Sequence, residues 1–174
     1  WNGTNWVGFA GSHTNGVPGV AADSSVGTPC MVIDSSGRPV VAWDDVRLPT
    51  PAIQVHRWSG SSWVSLGTKG LAPYASAPSL AAGPNGSLYL AWSQLFDVTP
   101  TGYLLRQISA SRYSGSWSAL GNSQVDPGIS ASSNLAGSSP SIGVAPNGTV
   151  FVSWQAGTSN ENSILCRKLV GSSW

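Results

Sequence analysis

Along most of the chain, apolar and polar residues alternate over short stretches separated by turns rich in Gly, Asn, Asp and Ser. That is the period of extended strands. The clearest group predicts strands at 29–34, 39–43, 53–58 and 63–67. Tight turns, "DSSG" (34–37) and "SGSS" (59–62), join the first strand to the second and the third to the fourth. Gly, Asn and Asp in such turns supply the positive φ angles that hairpins need. In a later group, "LYLAW" (88–92) is apolar on both faces, with Leu88, Leu90 and Trp92 on one and Tyr89 on the other. A strand of that kind is covered from both sides. Gly and Pro recur too often for ordinary helices. "TSNENSILCRKL" (158–169) alone has a helical look, and its counterparts elsewhere do not.

Those counterparts exist because the group is repeated. One copy runs "TPCMVIDSSGRPVVAWDD…IQVHRWSGSSWVSLG", the next "APSLAAGPNGSLYLAWSQ…ISASRYSGSWSALG", the last "SPSIGVAPNGTVFVSWQA…ILCRKLVGSSW". A Trp follows the second tight turn at Trp6, Trp63, Trp117 and Trp174, and another closes the second strand at Trp43, Trp92 and Trp154. With Trp1 and Trp58 before the turn, all nine tryptophans are placed, and their repeat positions make them core residues. Four-stranded antiparallel units of this length, covered on both faces, are blades of a β-propeller. The fold class expected is therefore all-β, with blades at 28–67, 78–121 and 140–174. Residues 1–10 read as the fourth strand of a blade, and the third blade stops at the start of its own. Three blades are too few to close a ring, so the chain reads as half of a six-bladed one, either a homodimer or part of a longer propeller chain. In the dimer, residues 1–10 of each copy complete the third blade of the other.

The pattern is similar to the Trp-rich propeller repeats of large secreted bacterial proteins, "P-S-L-A-x-x-x-N-G-x-x-x-V-A-W" followed by "I-x-V-x-R-W-x-G-S-S-W-x-x-L-G". The resemblance covers essentially the whole chain and implies a blade plan and a secreted origin; it implies no particular activity. Kelch and sialidase propellers share the plan, but the sialidase Asp-box, Ser-x-Asp-x-Gly-x-Thr-Trp, is missing.

Composition narrows the classes further. Only 9% of the residues are charged, yet nine are Trp, which is the reverse of a disordered chain. A net charge of +1 with no basic run argues against nucleic acid as a partner. No apolar stretch is long enough for a helical membrane span, so no membrane insertion is expected. Low charge and many small polar residues suit an extracellular protein. The sequence has no initiator Met or apolar leader, and reads as a processed product or a piece of something longer.

In an up-and-down blade the tight turns lie at one end and the long connections at the other, where recognition usually resides. Six of the seven acids (Asp23, Asp44, Asp45, Asp97, Asp126 and Glu161) fall on long connections, joined among the bases only by Arg47 and Lys69. Arg57, Arg112, Arg167 and Lys168 end third strands near the tight turns. One end is thus acidic, suited to Ca²⁺, hydroxyl-rich sugars or a basic partner, although the same acids also serve simply to solvate loops. The candidate ligand residues are Asp44, Asp45, Arg47, Asp97, Tyr103 and Glu161. Neighbours on a strand point to opposite faces, so only one Asp of "WDD" (43–45) faces any one site. His13 and His56 lack partners at metal-ligand spacing, and Cys30 and Cys166 read as free thiols. No cofactor is expected unless it is Ca²⁺. The "NGT" and "NGS" sequons read as turn chemistry. The leading expectation is a non-catalytic extracellular binding or adhesion module for a glycan or a protein. A glycoside-acting enzyme pairing Asp45 with Asp97, or a purely structural repeat, are the alternatives.

Overall fold

A computed structural model of the chain describes residues 2–9, 11–17, 26–46, 52–69, 74–97, 104–125, 128–132, 135–158 and 161–174. The chain is all-β, in three antiparallel sheets. Sheet one is β1 (Cys30–Ile33), β2 (Pro39–Asp45), β3 (Ala52–Trp58) and β4 (Trp63–Lys69), hydrogen-bonded in that order. Sheet two repeats the order with β5 (Ser76–Ala82), β6 (Leu88–Asp97), β7 (Leu104–Tyr113) and β8 (Trp117–Ala119). Sheet three has three strands, β9 (Ala136–Val144), β10 (Val150–Gly157) and β11 (Asn162–Lys168). The stretch with a helical look, 158–169, is mostly β11. A one-turn helix, α1 (Ser12–Asn15), precedes sheet one.

Turn chemistry sets the registers. Gly37, with φ of 73°, lets the Asp34 carbonyl take its N–H at 2.9 Å, and Asp34 Oδ1 takes those of Ser36 and Arg38, both at 2.9 Å. In the second repeat Asn85 (φ 58°) and Gly86 (φ 73°) do the same job. Asn147 Oδ1 accepts from Thr149 N at 3.0 Å, and Asn2 Oδ1 from Thr4 N and Asn5 N at 3.0 and 2.7 Å. The sequon asparagines thus sit in turns.

Sheet two lies between the other two. Leu88, Leu90 and Trp92 face sheet one, among Val40, Ala42, Ile53, Val55 and Ala75. Tyr89 and Ala91 face sheet three, with Ile108, Ala110, Ile142, Val150, Val152 and Trp154. The two-sided apolar strand is therefore covered as its sequence requires. Trp43, Trp92 and Trp154 do not end their strands: β2, β6 and β10 run on beyond them, and the three are only 4%, 1% and 2% exposed.

Two expectations look different in space. Residues 2–9 form no strand, since no partner strand lies beside them; Phe9 packs instead on Trp58 and Trp63, at ring distances of 5.2 and 6.4 Å. The long connection after β8 is partly structural. Because β8 is so short, residues 120–125 and 128–132 cover the rest of the β7 edge. Leu120 N and Ile129 N reach Ala110 O and Ile108 O at 3.1 and 2.8 Å, while Ser123 Oγ and Ser130 Oγ accept from Ala110 N and Ile108 N. Buried backbone groups demand such partners.

Candidate functional site

The end of the sheets opposite the tight turns carries a buried carboxylate oxygen with no hydrogen-bond partner among the described residues. There β2 closes on Asp44 and Asp45, held by a bridge between Val26 and Asp45 and by Gly27 N donating to Asp44 O at 2.9 Å. A Cβ on Gly27 would lie 2.1 Å from Asp44 Oδ2, so glycine is what lets the carboxylate fold against this backbone. The two acids point to opposite faces, as strand geometry dictates. Asp45, on the Trp43 side, is 1% exposed and is turned away from sheet two. Asp44, on the Ala42 side, is half-buried, and its Oδ1 is sealed with no hydrogen-bond partner among the described residues. Burial holds the Asp44 carboxyl above the usual carboxylate range, opposed by its own backbone N–H and by the charge of Arg106.

Arg106 comes from β7 of sheet two. Its Nη1 donates to Tyr74 O at 3.1 Å and Ser76 Oγ at 2.8 Å. A register shift between Ser76 and Ser79, with Tyr74 and Ala77 at positive φ (66° and 52°), places those acceptors. Such conformations cost on the order of 1–3 kcal/mol each and are retained where the surroundings over-determine them. The Tyr74 ring is 54% exposed. At the long-connection end sheet one thus turns a desolvated carboxylate toward sheet two, while Arg106, paired with Leu95 and held by Ser76, leaves sheet two on its other face and acts on Asp44 by charge; the Tyr74 ring is exposed on the segment that holds Arg106.

Of the residues the sequence singled out, Asp44 belongs to this seam. Asp45 does not: it is buried on the opposite face of β2. Asp97 ends β6, and its side chain lies outside the described residues, as do Arg47 and Tyr103. Glu161 is exposed beside β11 of sheet three, separated from Asp44 by sheet two. Arg106, Tyr74 and Ser76 were missed. Alternation counted backwards from Ile108 places Arg106 within β7, whereas the Pro- and Gly-containing "TPTGY" (99–103) reads as the end of structure. Arg106 therefore joins Arg47 and Lys69 among the bases of this end.

On the other face of β2, Val41 and Trp43 floor an apolar cavity of about 250 Å³, walled by Val17, Val26 and Pro29. Trp43 stacks on buried His56 at 5.0 Å, and burial pulls the imidazole's pKa down, which keeps it neutral. The basic residues near the tight turns are absorbed by the fold. Arg38 Nη2 and Arg57 Nε each stand 3.2 Å from Asp34 Oδ2; Arg57 also lies over the Tyr113 ring at 5.6 Å, and Arg112 over Tyr89 at 5.8 Å. Among the described residues no three of His, Cys, Asp or Glu gather as a metal site would require. Both cysteines are free thiols.

The stack of antiparallel sheets, two of four strands and one of three, is of propeller type, and the solved structures it resembles have propeller-type folds. One is a thermostable family-43 glycoside hydrolase, at a TM-score of 0.53 and 14% identity over 84% of this chain and 55% of that one. Another is an endo-1,4-beta-xylanase from Bacteroides thetaiotaomicron, at 0.52 and 14% over 82% and 54%. A third is a fucose lectin from Kordia zhangzhouensis in complex with methyl-fucoside, at 0.50 and 15% over 84% and 95%. The chain spans about half the length of the first two. No family model and no curated protein matches it. At these identities the likeness is one of fold.

Proposed function

We propose that the chain is a non-catalytic, extracellular carbohydrate-binding module that holds its ligand where Asp44, Arg106 and Tyr74 meet. The observation that carries this reading is the half-buried Asp44 carboxyl, whose Oδ1 has no hydrogen-bond partner among the described residues and which feels the charge of Arg106. Removed from water but opposed by a cation, it suits accepting hydroxyl hydrogens that solvent no longer supplies. Arg106 keeps further N–H donors in a rigid fork. The exposed Tyr74 ring offers a flat apolar surface with little conformational entropy to lose. An apolar surface beside a few convergent polar groups is the usual makeup of a small-ligand site. The fold itself hosts sugar-cleaving and sugar-binding proteins alike and decides neither. Binding is favoured over cleavage because Asp45, the sequence neighbour of Asp44, is buried on the opposite face of its strand.

Glycan-array screening followed by calorimetry, with and without added Ca²⁺, tests the reading. Asp44→Asn, Arg106→Ala and Tyr74→Ala are each expected to weaken binding of the selected glycan while leaving the circular dichroism spectrum unchanged. Binding indifferent to all three substitutions, or turnover of chromogenic glycosides, would refute it.

A further inference from the structure

The two seams inside the chain follow one plan, residue by residue. On the face each sheet turns toward the next, cross-strand partners are Asp44–Ile53, Ala42–Val55 and Val40–Arg57 in sheet one. In sheet two they are Ser93–Ile108, Ala91–Ala110 and Tyr89–Arg112. Sheet three repeats them as Gln155–Ile164, Ser153–Cys166 and Phe151–Lys168. In the first two sheets these positions are sealed: Val40, Ala42, Ile53, Val55, Ala91, Ile108 and Ala110 are all 0% exposed. In sheet three the same face is open, with Ile164 76% and Phe151 41% exposed, and Cys166 exposed. Large apolar side chains in a contiguous open face mark an interaction surface.

The opposite end of the stack shows the complementary half. Each internal seam is latched by a Trp that donates its indole N–H to the last strand of the preceding sheet. Trp117 Nε1 reaches Leu66 O at 2.8 Å, and Trp174 Nε1 reaches Leu120 O at 2.9 Å. Trp63 holds this position in sheet one, yet its Nε1 is buried with no hydrogen-bond partner among the described residues. A buried donor without an acceptor costs on the order of 1–3 kcal/mol. Aligning "WVGF" (6–9) with "WVSL" (63–66) and "WSAL" (117–120) puts Phe9 in the place of Leu66 and Leu120. Phe9 already packs on Trp63, edge to face at 78°. Beside it the cavity of about 250 Å³ fronts Trp43, whose counterparts Trp92 and Trp154 are each buried against the preceding sheet.

We propose that the open face of sheet three in one copy of the chain seats on the Trp43–Trp63 face of sheet one in a second copy. Phe9 of the second copy supplies the place that Leu66 and Leu120 fill internally, and its carbonyl takes the Trp63 indole N–H. The contact joins two different patches, so it either closes or propagates. With three sheets in each copy, closure at two copies gives six, within the range of about four to eight blades that propellers use. The contact is separate from the Asp44–Arg106 seam, and its test does not depend on glycan binding.

Sedimentation equilibrium and native mass spectrometry of the 174-residue chain are expected to show a particle of twice 17.9 kDa. Ile164→Glu halves that mass, and Phe9→Ala shifts the equilibrium toward the single chain. Ile164 is exposed in the isolated chain, so its substitution leaves the β-sheet circular dichroism intact. In the pair, Cys166 resists thiol reagents, and Ile164→Glu restores its reactivity. A single chain at every concentration with an intact β spectrum overturns the proposal. So does an assembly that survives both substitutions, or a Cys166 that reacts as fast in the wild-type chain as in Ile164→Glu.

Discussion

Replacing Trp92 with alanine probes the packing that holds the first two sheets together. The side chain is 1% exposed, in one cluster with Val40, Ala42, Ile53 and Val55 from across the seam, Ala75 just before β5, and Leu88 and Leu90 on its own strand. A buried indole hides roughly 200 Å², and at about 25 cal/mol per Å² its removal forfeits about 5 kcal/mol. Partial collapse of the seam returns some of that, which agrees with losses of about 3–5 kcal/mol for large-to-small core changes. The indole also donates to Gln94 Oε1 at 2.7 Å, and Gln94 is itself 6% exposed. Leaving that amide oxygen unpaired adds about 1–3 kcal/mol. The expected total, about 4–8 kcal/mol, is a large part of the roughly 5–15 kcal/mol by which domains are stable. Trp92→Phe keeps most of the apolar volume and loses only the hydrogen bond, so its cost falls well below that of alanine. Urea titrations followed by far-UV circular dichroism measure both, with an unchanged slope certifying that the unfolded state is the same. An alanine variant destabilised by less than about 1 kcal/mol would refute the assignment of Trp92 to a close-packed seam.

Other outcomes follow from single features. At Asp34 burial alone would raise the carboxyl, but the N–H groups of Arg38 and Ser36 and the Arg38 guanidinium outweigh it and hold the pKa below its usual value. The folded state then binds fewer protons, so the stabilisation is full above about pH 4 and is lost as pH falls through the folded value. Asp34→Asn should flatten that acid limb of the stability curve, and an unchanged limb in urea midpoints across the range would contradict it. Burial raises the Cys30 thiol to about 11, against backbone N–H groups of Leu80 and Ala42. Cys30 should therefore stay unalkylated in the folded chain near neutral pH and react once urea unfolds it; peptide mass spectrometry reads this, and prompt labelling of the native chain would be inconsistent with it. Gly128 has φ of 69°, and a Cβ there would lie 2.6 Å from Ile108 O. Gly128→Ala should cost at least about 2 kcal/mol, which at about 2–4 °C per kcal/mol lowers Tm by roughly 4–8 °C. An unshifted melting curve would show that residues 128–132 do not brace the β7 edge.

How much of this was legible beforehand differs between fold and site. Alternation, turn residues and the recurring Trp positions are local properties of the chain, and they fixed the strands, their order within each sheet and the two-sided character of "LYLAW" (88–92). They also set the turn role of Asn85 and Asn147. The seam chemistry was not local. Asp44 was singled out for its charge and position, but the Arg106 whose charge reaches it comes from another sheet, held on Tyr74 and Ser76 through a bulge and two positive φ angles that no repeat pattern announces. Asp45, its sequence neighbour, was buried on the opposite face by the same pleat. Sequence by itself determined which residues alternate and turn, because strand geometry and hairpin sterics act over a few bonds. Only tertiary structure decided which faces meet. That depends on how whole sheets stack, and it is why Trp117 and Trp174 find their carbonyl partners at the edge of a preceding sheet while Trp63 has none among the described residues.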